Sequence, residues 1–376
     1  MVGVDTGLDH RLRAVRDEAR EQATDLRTRA LAIDAAPDRM DPHLDSPVLQ
    51  AIRRMDPVRD GCLASAVRLV ELASGDAGAV LAAPGPALAG VLVRMAGSAE
   101  QNDRLDAALA DGRSWGFLAI TEPEAGSDAT RLRTELQPDG DGFRLHGTKR
   151  YIGNGARGRI GVVLARTGPN PLSLRAALVD ATGPRCRAHP LDMVGLRGAR
   201  ISELVFDGLA VSPGDLLGQH LSPVRRGMAV VMQAFNLIRV QVAAMAVGTA
   251  QAIHDYVRAE RGRGSRVGES TLDDARGQVD AARDLTLLAA REVDLNPRNG
   301  YPASVAKLTA TDLARRLSRE LPRVLGRGAL LEHPLLEKWW RDIGAFEYME
   351  GTSTVQRLHI AHGYLARVGV TPGEPS

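Results

Sequence analysis

Through the first hundred positions apolar residues recur at helical intervals, as in Leu63, Val67 and Val70 with Leu69 and Leu72 beside them, and Gly-Pro clusters separate the segments. That pattern predicts helices over residues 9–110. From Trp115 to about Gly218 the texture changes to short apolar or alternating runs, GFLAIT, GFRLHG, IGVVLAR and ELVFDGLAV, set between turn signals such as Pro138-Asp-Gly-Asp-Gly142. These are the expected strands of an all-β unit, the first ending at Thr121. After Pro223 the helical period returns. The run 227–260 is long enough for about eight turns and apolar over more than one face, which predicts a buried helix. Asn236 and Arg239 stand inside it, and buried polar groups must find partners or face a ligand or a solvent-filled cleft. Thr271 with Asp274 is read as a capping box opening a helix that runs to about Val293, and further helices are expected over 303–325, 334–345 and 352–367.

The order of elements defines an α+β chain: an N-terminal helical domain over 1–114, a central antiparallel β-barrel or sandwich over 115–222, and a helical bundle over 223–376. An alternating βα pattern is absent, and no Gly-x-Gly-x-x-Gly stands at a strand-to-helix turn, which argues against a Rossmann dinucleotide fold. A length of 376 residues agrees with roughly two or three structural units. Charge is balanced, 48 basic against 46 acidic residues, so neither nucleic acid nor an anionic membrane is called for as a partner. Two cysteines, Cys62 and Cys186, exclude a disulfide-stapled fold and point to a cytoplasmic location. The longest uncharged stretch, 77–93, is interrupted by Pro84, Gly85, Pro86 and Gly90 and is too short to cross a bilayer. Acids and bases at helical spacing in the first thirty residues predict a helix there and not a signal peptide. The chain has only three lysines, Lys149, Lys307 and Lys338, a bias read as compositional.

Three segments carry candidate chemistry. Ile120-Thr-Glu-Pro-Glu-Ala-Gly-Ser-Asp128 leaves a strand for a turn whose Gly126 and Ser127 offer backbone donors and a hydroxyl to a flat polar ligand or a phosphate, although by composition it is an ordinary strand-to-loop turn. Gly147-Thr-Lys-Arg-Tyr-Ile-Gly-Asn-Gly155 presents Tyr151, a ring able to stack on a planar cofactor or to serve as a half-buried packing residue. Trp340-Arg-Asp-Ile-Gly-Ala-Phe-Glu-Tyr-Met-Glu-Gly-Thr-Ser-Thr-Val-Gln-Arg357 places Glu350 and Gly351 in a break between helices, with Thr352 able to cap the second. Taken alone, Glu350 is as readily a solvated carboxylate near a helix dipole.

In this order and over this architecture, the three segments resemble the acyl-CoA dehydrogenase family. The resemblance covers about 116–367, includes Leu191-Asp-Met-Val-Gly-Leu-Arg and the following Glu-Leu-Val-Phe-Asp207, and weakens in the first hundred residues, where Gly97-Ser-Ala-Glu-Gln101 matches best. It implies a C-terminal four-helix bundle, bound FAD, assembly as a homotetramer or dimer, an acyl thioester substrate on CoA or a carrier protein, and electron-transfer flavoprotein or another acceptor as redox partner. The implied reaction is an α,β-desaturation in which Glu350 removes the α-proton and a hydride passes from the β-carbon to the flavin.

Residue by residue, the resemblance assigns Leu118, Ile120, Thr121, Gly126 and Ser127 to the flavin ring and phosphates, Ser127 also to substrate, and Tyr151, Ile152 and Gly153 to the isoalloxazine. Arg261, Arg323, Thr352 and Thr354 are implied FAD contacts. Asn236, Arg239 and Gly351 are implied substrate contacts, with Asn236 standing where relatives keep an aspartate. Departures cluster on the cofactor. Gly153 replaces a threonine, Arg261-Gly-Arg-Gly264-Ser265 lacks an aromatic, and Arg323-Val-Leu-Gly326-Arg327 replaces an amide and a glycine with two guanidiniums. Met349 stands in place of a tyrosine. These departures admit a heteromeric assembly in which the chain is a half-site or non-catalytic partner, while a flavin-dependent oxygenase on the same fold would lack a base at Glu350. Trp339 and Trp340 are expected to pack, and Arg225 and Arg226 to be solvated. His359 with His362 makes a weak metal motif, so no metal is expected, and neither cysteine is a nucleophile candidate.

Overall fold

The computed structural model describes residues 8–126, 131–262 and 266–367. Among the described residues, the first hundred positions form helices α1 (His10–Ala35), α2 (Asp41–Leu44), α3 (Pro47–Arg53), α4 (Cys62–Ala82), α5 (Ala87–Ala96) and α6 (Ala99–Ala108). The best-matched stretch there has a local purpose. Ser98 and Gln101 form a capping box at the start of α6, the Ser98 hydroxyl accepting from the Gln101 N–H and the Gln101 amide oxygen accepting from the Ser98 N–H.

The chain divides into two compact units, each built from separate stretches. One takes Ala35–Val58 and Leu81–Phe235; the other takes the residues up to Asp34, Arg59–Val80 and the chain from Asn236 onward. The first unit is organised by one seven-stranded sheet. Its strands are β1 (Trp115–Ala119), β2 (Glu135–Asp139), β3 (Gly142–Ile152), β4 (Gly158–Arg166), β5 (Leu174–Asp180), β6 (Cys186–Pro190) and β7 (Ser202–Val211). The sheet order is β1-β4-β2-β3-β7-β6, with β5 paired to β4. Pairing is antiparallel except that β1 runs parallel to β4 and one residue pair joins β2 to β4 in parallel. The turn read from Pro138 to Gly142 closes the β2–β3 hairpin, with Asp139 opposite Gly142 and Gly140 at φ 56°, a value its missing side chain makes accessible. Phe117, Leu136, Leu145, Val163, Val179, Leu204 and Phe206 form the core of this unit. The first strand ends at Ala119, before Ile120 and Thr121, because the chain there turns to bury Glu122.

In the helical unit, α7 (Met228–Glu260), α8 (Glu269–Leu295), α9 (Tyr301–Glu320), α10 (Ala329–Glu332), α11 (Pro334–Phe346) and α12 (Ser353–Arg367) follow in order. By length and composition α7 could cross a membrane, but 78% of its apolar window is buried inside the protein, the pattern of a core helix. The expected start of α8 is corrected. It opens at Glu269 after Gly268, whose φ of 66° makes the reversal, so Thr271 and Asp274 lie inside the first turns and cap nothing. The helix expected over 303–325 ends at Glu320 and continues as a tighter 3₁₀ turn, Leu321–Leu325.

A buried ionic knot joins α4 to α11. Asp76 interrupts α4 with an extended backbone at φ −168° and accepts from the Ala79 N–H at 2.7 Å, capping the half that follows. The Lys338 ammonium donates to Asp76 at 2.7 Å and to Asp342 at 2.6 Å, and the Trp339 indole N–H donates to Asp76 at 3.0 Å. Trp339 is fully buried as expected, whereas Trp340, about 100° further round the same helix, is 42% exposed.

Candidate active site

The break between α11 and α12 is built around two residues in the left-handed region, Glu350 at φ 53° and Gly351 at φ 97°. Glycine tolerates that conformation; a glutamate there is strained and persists where surrounding contacts over-determine it. The contacts are visible. The Glu350 carbonyl accepts from Arg239 Nε at 3.3 Å and from Gln356 Nε2 at 3.0 Å. The Gly351 carbonyl accepts from Gln356 Nε2 at 3.0 Å and from Lys307 Nζ at 2.8 Å, and Lys307 also donates to the Glu347 carbonyl at 3.0 Å. Thr352 precedes α12, its hydroxyl 3.5 Å from the Val355 N–H in the capping position expected of it.

Asn236 and Arg239 come to this break from α7. Arg239 Nη1 donates to Asn236 Oδ1 at 2.9 Å and lies 3.4 Å from His359 Nδ1, while Asn236 Nδ2 donates to the Pro297 carbonyl at 3.0 Å. The predicted set Asn236, Arg239, Glu350, Gly351 and Thr352 is therefore one cluster. Lys307, Gln356 and His359 belong to it as well, although the sequence marks Lys307 only by the rarity of lysine, Gln356 only as part of the segment 340–357 and His359 only as half of a weak metal pair; no cluster of potential metal ligands exists among the described residues.

Electrostatics set this cluster apart. Burial pushes the Glu350 carboxyl up to about 7, against the lowering pull of Arg239 and Lys307. Burial also takes Lys307 down to about 8 and Arg239 down to about 10. His359 is driven to about 4 by burial and by the neighbouring Arg239 charge, so it is neutral near pH 7. Glu347 goes the other way. Burial opposes its charge, but the Ser353 hydroxyl and N–H bonded to its carboxylate hold it below the ordinary range.

A second group of expected residues lies in the β-unit. The Arg150 N–H donates to the Thr121 carbonyl at 2.8 Å and Lys149 Nζ donates to the Ile120 carbonyl at 2.9 Å, which brings the loop leaving β1 against the end of β3. Lys149 also pairs with Glu122 at 2.9 Å, and the Glu122 carboxylate accepts the N–H groups of Arg133 and Thr134. Glu122 and Lys149 had no assigned role, yet this buried pair fixes the loop that carries Thr121 and Gly126. An extra residue in β3 relative to β7, between Lys149 and Ile152, forms a bulge that turns Tyr151 outward at φ 63°. Tyr151 is 58% exposed, which corrects the half-buried packing alternative, and Arg150 lies over its ring. Ile152 is buried, Leu118 is half-buried, and Gly153 opens on free space where a side chain would stand. Ser127 lies outside the described residues, as do Gly264 and Ser265.

Arg261 and Arg323 form a third group. Arg261 donates to the Val267 carbonyl at 3.2 Å, and the next turn, at Gly268, packs on Val324 beside the exposed Arg323. Arg327 is exposed, and Gly326 has open space around it. Thr354 is exposed on the first turn of α12. Cys62 is buried, its thiol pushed far up by burial, and Cys186 is pushed up to about 11 by burial, so neither supplies a thiolate.

Residues 118–209 match the middle domain of acyl-CoA dehydrogenases and residues 225–365 match the C-terminal domain. A probable acyl-CoA dehydrogenase of Bacillus subtilis is 30% identical over 282 residues, 72% of this chain and 73% of that protein. The chain belongs to the acyl-CoA dehydrogenase family. Another relative in the family, a cyclohexane-1-carbonyl-CoA dehydrogenase of Geobacter metallireducens, is 29% identical over 280 residues, 72% of this chain and 73% of its own. The fold agrees with a glutaryl-coenzyme A dehydrogenase solved with glutaryl-CoA, at a TM-score of 0.84 and 22% identity over 99% of this chain and 98% of that one. As an acyl-CoA dehydrogenase family member the chain is a flavoprotein oxidoreductase.

Proposed function

We propose that this chain is an FAD-dependent dehydrogenase that desaturates an acyl thioester, with Glu350 as the base that removes the α-proton. The observation that carries the reading is a carboxyl in a strained helix break, buried enough to sit near 7, with two cations beside it. A general base works best when its proton affinity lies near the working pH, and burial supplies that here without a metal ligand set. The α-hydrogen leaves as a proton to the Glu350 carboxylate, the β-hydrogen leaves with its electron pair, and the α–β bond becomes double. The Glu350 backbone N–H polarises the thioester carbonyl as charge develops on it.

FAD, when bound, supplies the acceptor for the departing hydride. The residues present fit such a group. The loop at 120–126 is pinned by Glu122 and Lys149, Tyr151 offers an exposed ring, Gly153 leaves room for a flat ligand, and exposed Arg323 and Arg327 offer guanidiniums for a pyrophosphate. Thr352, Thr354 and Arg261 complete the proposed contacts, and Asn236, Arg239 and Gly351 line the thioester end. The acceptor of the electrons is an electron-transfer flavoprotein, and the assembly is a homo-oligomer carrying one FAD per chain.

Anaerobic titration of the purified flavoprotein with acyl-CoA thioesters tests this. Bleaching of the oxidised flavin is expected, and Glu350→Gln should keep FAD while losing at least about a thousandfold in bleaching rate. Normal turnover by Glu350→Gln removes the base assignment. Bleaching only by carrier-bound thioesters moves the substrate from CoA to a carrier protein. A purified chain without flavin, active only beside a homologous subunit, replaces the homo-oligomer with the heteromeric reading.

A further inference from the structure

Lys307 occupies the middle of α9 and is fully buried. Its ammonium donates to the Glu347 and Gly351 carbonyls, on either side of Glu350, and no carboxylate stands within ion-pair distance of it among the described residues. The Glu347 carboxylate is committed to the Ser353 hydroxyl and N–H instead. Three side chains from three helices thus grip the turn that carries the base: Arg239 from α7 holds the Glu350 carbonyl, Gln356 from α12 the Glu350 and Gly351 carbonyls, and Lys307 from α9 the Glu347 and Gly351 carbonyls. We propose that Lys307 is a positioning residue for Glu350, tying down the left-handed turn that carries the base and supplying the buried positive charge against which the carboxyl ionises. This rests on the reading of Glu350 as the base.

The groups around the carboxyl account for why this role falls to Lys307. Arg239 arrives from α7 already bonded to the Asn236 amide and lying beside the His359 ring, and His359 and His362 come from α12 with His359 neutral. Glu347, the acid nearest in sequence, is bonded to Ser353, shares the field of Lys307 and has Arg315 as a further positive neighbour. Arg239 and Lys307 are therefore the cations that favour the ionised form of Glu350, and of these Lys307 alone also holds the carbonyl after it. An ammonium held between two neutral oxygens has no contact ion pair, and its field acts on both nearby carboxyls, Glu347 first and Glu350 second.

A lysine that only capped α11 would, when replaced, lower activity equally at every pH. A positioning charge gives a different result. Lys307→Met should move the acidic limb of kcat/KM up by about one pH unit, since a lost cation raises the carboxyl's affinity for its proton. Lys307→Arg should leave that limb at the wild-type pH and lower kcat, because a planar fork does not fit between two carbonyls placed for a single ammonium. Exchange of substrate α-hydrogens in deuterium oxide, followed by NMR on the holoenzyme, reads the base directly and should show the same shift. Should Lys307→Met not fold, Lys307→Gln, which keeps a donor and removes the charge, carries the same expectation. A limb that stays in place without the charge, or moves in the arginine variant, overturns the proposal. If Glu350→Gln still exchanges α-hydrogens the base reading itself fails; if that variant is silent and Lys307→Met keeps the wild-type limb, only the role of Lys307 falls.

Discussion

Lys338 lies between the carboxylates of Asp76 and Asp342, and Lys307 between the carbonyls of Glu347 and Gly351. Burial works against both charges, but for Lys338 the two acids outweigh it and hold the ammonium well above the usual lysine range, whereas Lys307 is left at about 8. One helical unit therefore handles the same side chain in two ways. At α4 and α11 opposite charges are matched in direct contact, and the knot fixes the packing of helices. At the α11–α12 break the cations are held by neutral oxygens and the nearby carboxyl stays near 7. Matched ions make a structural joint; incomplete matching leaves a carboxyl whose proton can move at ordinary pH.

The contrast breaks most severely at its structural end. Lys338→Met leaves Asp76 and Asp342 buried without their cation, and a loss of about 3–5 kcal/mol in urea unfolding is expected. The stranded acids then bind protons more tightly in the folded chain than in the unfolded one. Their stabilising protonation is lost as pH rises, so the deficit should be larger at pH 8 than at pH 5. An equal deficit at both would mean that packing, not charge, holds the knot.

At the other end the sign reverses. The folded Glu350 carboxyl is raised from 4.5 to about 7, so its burial costs nothing below 4.5 and most above 7. Glu350→Gln should therefore stabilise the protein by about 1–2 kcal/mol at pH 8, allowing for partial exposure, and by almost nothing at pH 4.5, as read by urea midpoints. A variant less stable than wild type at pH 8 would show that the carboxylate is matched after all. Asn236→Asp should have the smallest effect. It adds a negative charge beside Arg239, raising the acidic limb of kcat/KM by about half a unit, and it replaces the amide N–H that reaches the Pro297 carbonyl.

The helical and β periods were legible because each follows from burial of one face, and the hairpin turn at Gly140 announced itself by composition. Glu350, Arg239 and Asn236 were legible through a family pattern, but nothing in spacing reveals that 111 residues of chain close to set Arg239 on the Glu350 carbonyl. Lys307, Gln356 and His359 were illegible for that reason. Glu122 illustrates a subtler loss. It sat inside a motif already singled out, yet its work depends on Lys149 in a different strand, and a carboxylate in a loop reads as solvated until its partner is seen. Asp76 breaks α4 inside an apolar run whose periodicity continues on both sides. The start of α8 was misplaced because Thr271 and Asp274 have capping chemistry, while the reversal is made by a glycine with none.

All three lysines of this chain, Lys149, Lys307 and Lys338, are sealed in its interior, and its surface cations are arginines. Thioesters are acylating agents toward free amines, and a guanidinium, protonated at any ordinary pH, is a poor nucleophile. If the proposed reading holds, a chain with no ε-amine in contact with solvent gives its acyl-thioester substrates almost nothing on its flanks to modify.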